Sequence, residues 1–235
     1  MDRKWSEEVE KYLKSKYLEV LTNLGLIKSY SALTYRIKLE QEESKYFMLG
    51  LENGIFTIDN EGYAQSSFLP KQKPKEDRQK TFQMFWNKRR HLFREGICQL
   101  SAASRLILRD GWCKTQILME PNKEEVGNLA YGVDLLIKSP EGKTLICGEV
   151  KRDQTELMKL IEGFRNCCSL GSHKENTCND KNHPKYAICA FLRPLYFWAV
   201  SPNQEAFFKL EYHAKGKIKL EVLDTFPNRE TILNN

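Results

Sequence analysis

The sequence predicts an α/β protein whose C-terminal part runs helix, three strands, helix, two strands, preceded by a small α+β module at the N-terminus. Three observations predict it. Apolar residues recur at helical spacing over residues 5–27, 81–108 and 157–168. Short apolar runs of strand length occupy much of the remainder, at 33–39, 46–51, 55–58, 113–119, 132–137, 144–150, 186–192 and 196–200. Gly, Pro and Asn turn signals separate several of these runs, Asn53-Gly54 and Ser139-Pro140-Glu141-Gly142 being the clearest.

Each element has its own grounds. The first helix carries Trp5, Val9, Tyr12, Leu13, Tyr17, Val20, Leu21 and Leu24 on one stripe, with Ser6 as the expected N-cap and Gly25 closing it or lying in its last turn. The three strand candidates before residue 67 complete the N-terminal module, residues 1–70. Two prolines and dense charge mark 71–80 as a linker, and the main domain is expected over 81–235. Phe93, Ile97, Leu100, Ser104 and Ile107 form the stripe of the next helix, which Asp110-Gly111 ends. Leu157, Leu160, Ile161, Phe164 and Cys168 line one face of the last.

Composition narrows the function classes. A chain of 235 residues with 41% apolar content can bury a sizeable core. No run of about eighteen apolar residues and no secretory h-region is present, and the seven cysteines are odd in number and lack framework spacing. A soluble, cytoplasmic protein with reduced thiols and no membrane partner is expected. The net charge of +6 is concentrated: between residues 71 and 94 nine Lys and Arg stand against two acids. That segment, with Lys88, Arg89, Arg90 and Arg94 interleaved with Phe82, Phe85 and Trp86, suits phosphate neutralisation, although a linker followed by an ordinary amphipathic helix would look similar.

The chemistry-bearing stretch is GVDLLIKSPEGKTLICGEVKRD, residues 132–153. Side chains alternate along a strand, so Glu149 and Lys151 project to one side and Val150 to the other. If the 132–137 strand hairpins with the following one through the SPEG turn, Asp134 comes close to Glu149 on that same face. Two carboxylates held together repel unless a cation lies between them, and a divalent cation bound by oxygen ligands is the common solution. Lys151 would then orient or activate a water, or meet charge developing on a phosphate. The alternative is a surface ion pair of small worth, with Asp134 capping a turn or pairing with Arg152.

Asp134, a gap of fourteen residues, then Glu149-Val150-Lys151 resembles the motif of the PD-(D/E)XK nuclease superfamily, which includes restriction endonucleases and many repair and recombination nucleases. The resemblance covers roughly residues 82–201, and no proline precedes Asp134. It implies a restriction-endonuclease-like core, a mixed sheet flanked by helices, and a metal-dependent deoxyribonuclease, most readily an endonuclease. Mg²⁺ or Mn²⁺ would be held by Asp134, Glu149 and the Val150 carbonyl, with Lys151 catalytic. Glu95 is the added acid from the helix before the first strand, and Gln154 would orient substrate. DNA is the implied partner, and the N-terminal module would hold DNA, set target choice or join the chain into a homodimer. The competing reading is a non-catalytic nucleic-acid-binding or assembly protein with the same fold.

A second constellation follows. Cys168, His173, Cys178 and His183 recur every five residues in a polar segment and are all zinc-ligand types, so Zn²⁺ would supply order that this composition lacks. A polar loop without metal, with Cys168 packed at the preceding helix end, is the plainer account.

Overall fold

The computed structural model describes residues 3–25, 39–69, 82–86, 91–129, 132–166, 183–213 and 218–234. The chain divides into two compact units, Met1–Arg109 and Asp110–Asn235. The division falls after the helix that the sequence assigned to the main domain, and not at 71–80.

In the first unit, α1 (Trp5–Asn23) buries Val9, Leu13, Tyr17, Val20 and Leu21 on one stripe. Lys4 and not Ser6 is its N-cap. Ser6 lies inside the first turn, where its hydroxyl accepts from the Gln41 side-chain amide at 2.7 Å, a link to the helix that follows. Gly25 ends the region at φ 67°, a left-handed conformation that costs glycine little. Residues 46–51, expected as a strand, belong to α2 (Gln41–Glu52). The apolar run YFMLGL masks a helical period: Glu43, Ser44, Phe47 and Gly50 are the residues turned inward. Two short antiparallel pairs follow, β1 (Thr57–Ile58) with β2 (Ala64–Gln65) and β3 (Phe85–Trp86) with β4 (His91–Leu92). The latter pair occupies residues expected as helix. Phe85 of this pair and Phe82 shortly before it are buried, so these two aromatics pack the unit's interior and offer no surface for bases. The stripe from Ile97 to Ser104 is helical as expected, in α3 (Arg94–Leu108).

The second unit is one six-stranded mixed sheet with helices packed on it. Its strands are β5 (Ile117–Met119), β6 (Leu135–Lys138), β7 (Thr144–Val150), β8 (Tyr196–Ser201), β9 (Gln204–Tyr212) and β10 (Ile218–Leu223). They lie in the order β10-β9-β8-β7-β6-β5, every neighbouring pair antiparallel except β7 and β8. That parallel pair requires a crossover, supplied by α4 (Gln154–Asn166) and α5 (His183–Leu192). β7 and β8 are buried along their whole length, as central strands of a covered sheet should be. Leu157, Leu160 and Ile161 of α4 and Ile188 and Cys189 of α5 share a core with Leu136, Cys147 and Phe197 of the sheet.

Residues 186–192 were expected as a strand and are the body of α5. Apolar content on nearly every position reads the same for a buried helix and a buried strand; the distinguishing signal is Pro184 in the helix's first turn. Residues 114–116 form a 3₁₀ turn before β5. Beyond residue 200, where no element was expected, the chain adds β9, β10 and the terminal α6 (Arg229–Leu233). Among the described residues no helix is long and apolar enough to cross a membrane.

Candidate active site

The hairpin expected through Ser139–Gly142 is present: Leu135 pairs with Gly148, Leu136 with Cys147 and Ile137 with Ile146. One step beyond Leu135, the Asp134 N–H donates to the Gly148 carbonyl at 3.0 Å. Register therefore sets Asp134 beside Glu149, the neighbour of Gly148. The close approach of the strands depends on Gly148, where a Cβ would lie 2.8 Å from Leu135 Cδ2. Leu135, and not a ligand, takes up the space that this glycine leaves.

Asp134 accepts a hydrogen bond at Oδ2 from the Val150 N–H, 2.7 Å away. Val150 thus meets Asp134 through its amide hydrogen. The Asp134 carbonyl in turn accepts from the N–H of Glu120, which follows β5 at φ 47°. Burial first, and then the nearby charges of Glu149 and Glu120, push the Asp134 carboxyl well above the ordinary carboxylate range; Lys151 and the Val150 N–H act in the opposite sense. Arg152, the alternative partner, pairs instead with Glu156 at 2.6 Å and Asp153 at 3.6 Å.

Glu149 is 3% exposed. Its Oε1 accepts from Lys151 Nζ at 2.5 Å and lies 3.1 Å from Lys185 Nζ, which reaches over from the first turn of α5. Its Oε2 is buried with no hydrogen-bond partner. Lys151 is itself fixed by its backbone, whose N–H donates to the Val200 carbonyl of β8 at 2.7 Å.

This donor set fits a divalent cation in two respects. The neighbouring carboxylates raise the proton affinity of Asp134, and a buried carboxylate oxygen on Glu149 has no hydrogen-bond partner. It supplies few ligands, however. Among the described residues no group of three or more His, Cys, Asp or Glu is arranged to hold a metal. An ion held by Asp134 and Glu149 would complete its shell with backbone, water or substrate oxygens, which suits Mg²⁺ better than a cation needing a full protein cage.

The other expected site residues fall elsewhere. Glu95 is in the first turn of α3, in the first unit. Gln154 is exposed at the start of α4. Arg94 is no phosphate-facing residue: it is 5% exposed, and both of its terminal nitrogens donate to the buried Glu43 of α2. A guanidinium so desolvated stays with its carboxylate. Lys88, Arg89 and Arg90 lie outside the described residues, as do Cys168, His173 and Cys178; His183 begins α5, with its side chain outside the described set. Sequence reasoning did not find Lys185 or Glu120. Taking α5 for a strand that began at Tyr186 hid Lys185, and Glu120 drew no notice at the end of the short β5.

No protein-family model matches the chain, and no curated protein or solved structure matches it.

Proposed function

We propose that the chain is a metal-dependent nuclease that hydrolyses phosphodiester bonds in DNA, built on a restriction-endonuclease-like core of the PD-(D/E)XK kind. The observation that carries the proposal is the placement of Asp134 against Glu149-Val150-Lys151 on adjacent strands, with Glu149 buried, Asp134 partly buried and an ammonium on Glu149. The resemblance implies the order helix, three strands, helix, strand, and the mixed sheet flanked by helices supports it. Asp134 and Glu149 would hold Mg²⁺ or Mn²⁺. Such an ion, when bound, supplies Lewis-acid polarisation of the phosphate and a more acidic water.

The chain's own residues do the rest. The Val150 N–H holds the Asp134 carboxylate in place, so its free oxygen is presented at a set position. The β8 carbonyl of Val200 fixes the backbone of Lys151, and Lys151 keeps its ammonium beside Glu149, where it faces both an entering water and the charge that develops on a phosphate. Burial of the cluster removes competing solvent and strengthens each of these interactions.

The test is cleavage of labelled duplex and single-stranded DNA in Mg²⁺ or Mn²⁺. Asp134→Ala, Glu149→Gln and Lys151→Ala are each expected to lower the rate by on the order of 10²-fold or more with melting still cooperative. Wild-type rates retained in all three would remove the site.

One observation favours a non-catalytic nucleic-acid-binding protein of the same fold: Lys151 and Lys185 already neutralise Glu149, in the way that two lysines replace a cation. DNA bound by the wild type but left intact with every divalent metal would decide for that reading.

A further inference from the structure

Lys185 is more than a buried carboxylate needs. Glu149 already has Lys151 at 2.5 Å, and a second ammonium at 3.1 Å from the same oxygen adds a further desolvation cost and repulsion between amines. Its presence there is not accidental to a loose loop. Lys185 and Ile188 lie three residues apart on α5 and so share a helix face. Ile188 packs where a Cβ on Gly132 would come 1.6 Å from its Cδ1, two residues before Asp134. Cys189, the next residue, shares a hydrogen bond with the buried Cys147 of β7. The helix is docked on both motif strands, and its first turn delivers the amine to Glu149. The Lys185 side chain is 15% exposed, against 4% for that of Glu149.

Formal charges show what this second amine can do. Lys151 and Lys185 bring two ammoniums to Glu149, while burial and the charges of Glu149 and Glu120 favour the protonated form of Asp134. A divalent cation taken up by the carboxylates would leave the ammoniums uncompensated, and the anion that restores the balance is a phosphate. Lys151 is tied to β7 within two residues of Glu149 and makes the shorter contact. Lys185 makes the longer contact and comes from another element, so it is the one free to turn.

We propose that Lys185 is an exchangeable amine of the site, paired with Glu149 in the metal-free protein and turned to a non-bridging oxygen of the bound phosphodiester once Glu149 holds a cation. The proposal rests on the nuclease reading and assigns Lys185 a substrate-positioning role within it.

The experiment compares the full-length wild type with Lys185→Met, which keeps the length of the side chain without the charge, and with Lys185→Arg. Mn²⁺ affinity is measured by titration with the metal alone. Affinity for a short single-stranded DNA oligonucleotide is measured in Ca²⁺, and cleavage in Mg²⁺ is resolved into kcat and KM. Lys185→Met is expected to bind Mn²⁺ several-fold more tightly, having lost a competitor for Glu149, and to bind the oligonucleotide about tenfold or more weakly, with the loss appearing in KM. Lys185→Arg is expected to restore most of the oligonucleotide affinity. A merely structural lysine would move the melting temperature and leave this opposed pair of changes unseen. Oligonucleotide affinity in Lys185→Met within about twofold of wild type, or weakened Mn²⁺ binding, overturns the role of Lys185 while wild-type cleavage keeps the nuclease reading standing. A wild type that neither binds Mn²⁺ nor cleaves overturns both.

Discussion

Asp134 shows how far one residue's chemistry is set by its place on a strand. Its folded-state pKa lies above the unfolded value of about 3.9, so the folded chain holds the proton more tightly than the unfolded one. The stability tied to that proton is fully present below the unfolded pKa and is lost as pH rises from there through the raised folded pKa. Asp134→Asn keeps an acceptor for the Val150 N–H and removes the charge that burial and Glu149 oppose. In chelator-containing buffer the variant should therefore melt above wild type at pH 7, and the gap should close below about pH 4; thermal unfolding across that range measures it. Added Mg²⁺ should raise the melting temperature of wild type and not of Asp134→Asn, since only a ligand bound by the folded state stabilises it. At the same scale Glu149 depends on two amines, and loss of either leaves a buried carboxylate with a poorer partner.

Between elements, buried charge is a packing constraint as well as a chemical one. α2 and α3 come together where Gly50 lacks a side chain; a Cβ there would lie 2.2 Å from Ser104 Oγ and 2.6 Å from the Phe56 ring. Beside that approach Arg94 bridges to Glu43, with Cys98 donating its thiol to Glu43 Oε1 at 3.0 Å. Burial raises that thiol's pKa, so it stays a donor. Arg94→Ala should lower stability by about 3–5 kcal/mol because Glu43 would be left buried and unpaired. The double variant Arg94→Met, Glu43→Gln should recover much of that loss, as urea denaturation of the set would show. A double variant no better than Arg94→Ala would mean that packing, and not the unpaired charge, sets the cost. The single parallel pair, β7 with β8, has a comparable role in the second unit, since it forces the helical crossover that carries Lys185.

For the molecule as a whole, net charge is the quantity that bears on partners. Its value of +6 resides in the segment 71–94, and two of that segment's features change meaning in the fold. Arg94 is paired internally, and Phe82 and Phe85 are core residues. Under the proposed function, phosphate contacts would fall to the other basic residues of the segment. Changing Lys88, Arg89 and Arg90 together to Gln should weaken DNA binding across sequences and reduce the slope of log affinity against log salt by roughly 2–3, as the loss of three phosphate contacts requires. An unchanged slope would make those residues an ordinary solvated surface. The two compact units each have their own core, which a chain of this length can supply.

The sequence by itself determined the α/β class, the stripes of α1, α3 and α4, and the motif strands with their turn. Those features rest on local rules: helical periodicity, the two-residue alternation of strands, and Gly or Pro at turns. The hairpin between 132–137 and 144–150 was legible from its short turn, but its register was not: an irregularity between Ile137 and Lys138 leaves Leu145 without a partner on β6 and shifts the pairing by one residue, which sets Asp134 beside Glu149 and not Gly148. Only the tertiary structure decided that α2 and α5 are helices. Their apolar runs, YFMLGL and YAICAFL, satisfy a buried strand as well as a buried helix, and what surrounds them makes the choice. It also decided that Arg94 belongs to Glu43, and that a lysine thirty-six residues along the chain from Glu149 shares its oxygen with Lys151. No local rule reaches across that distance, because such contacts are set by how a crossover returns its helix to the sheet.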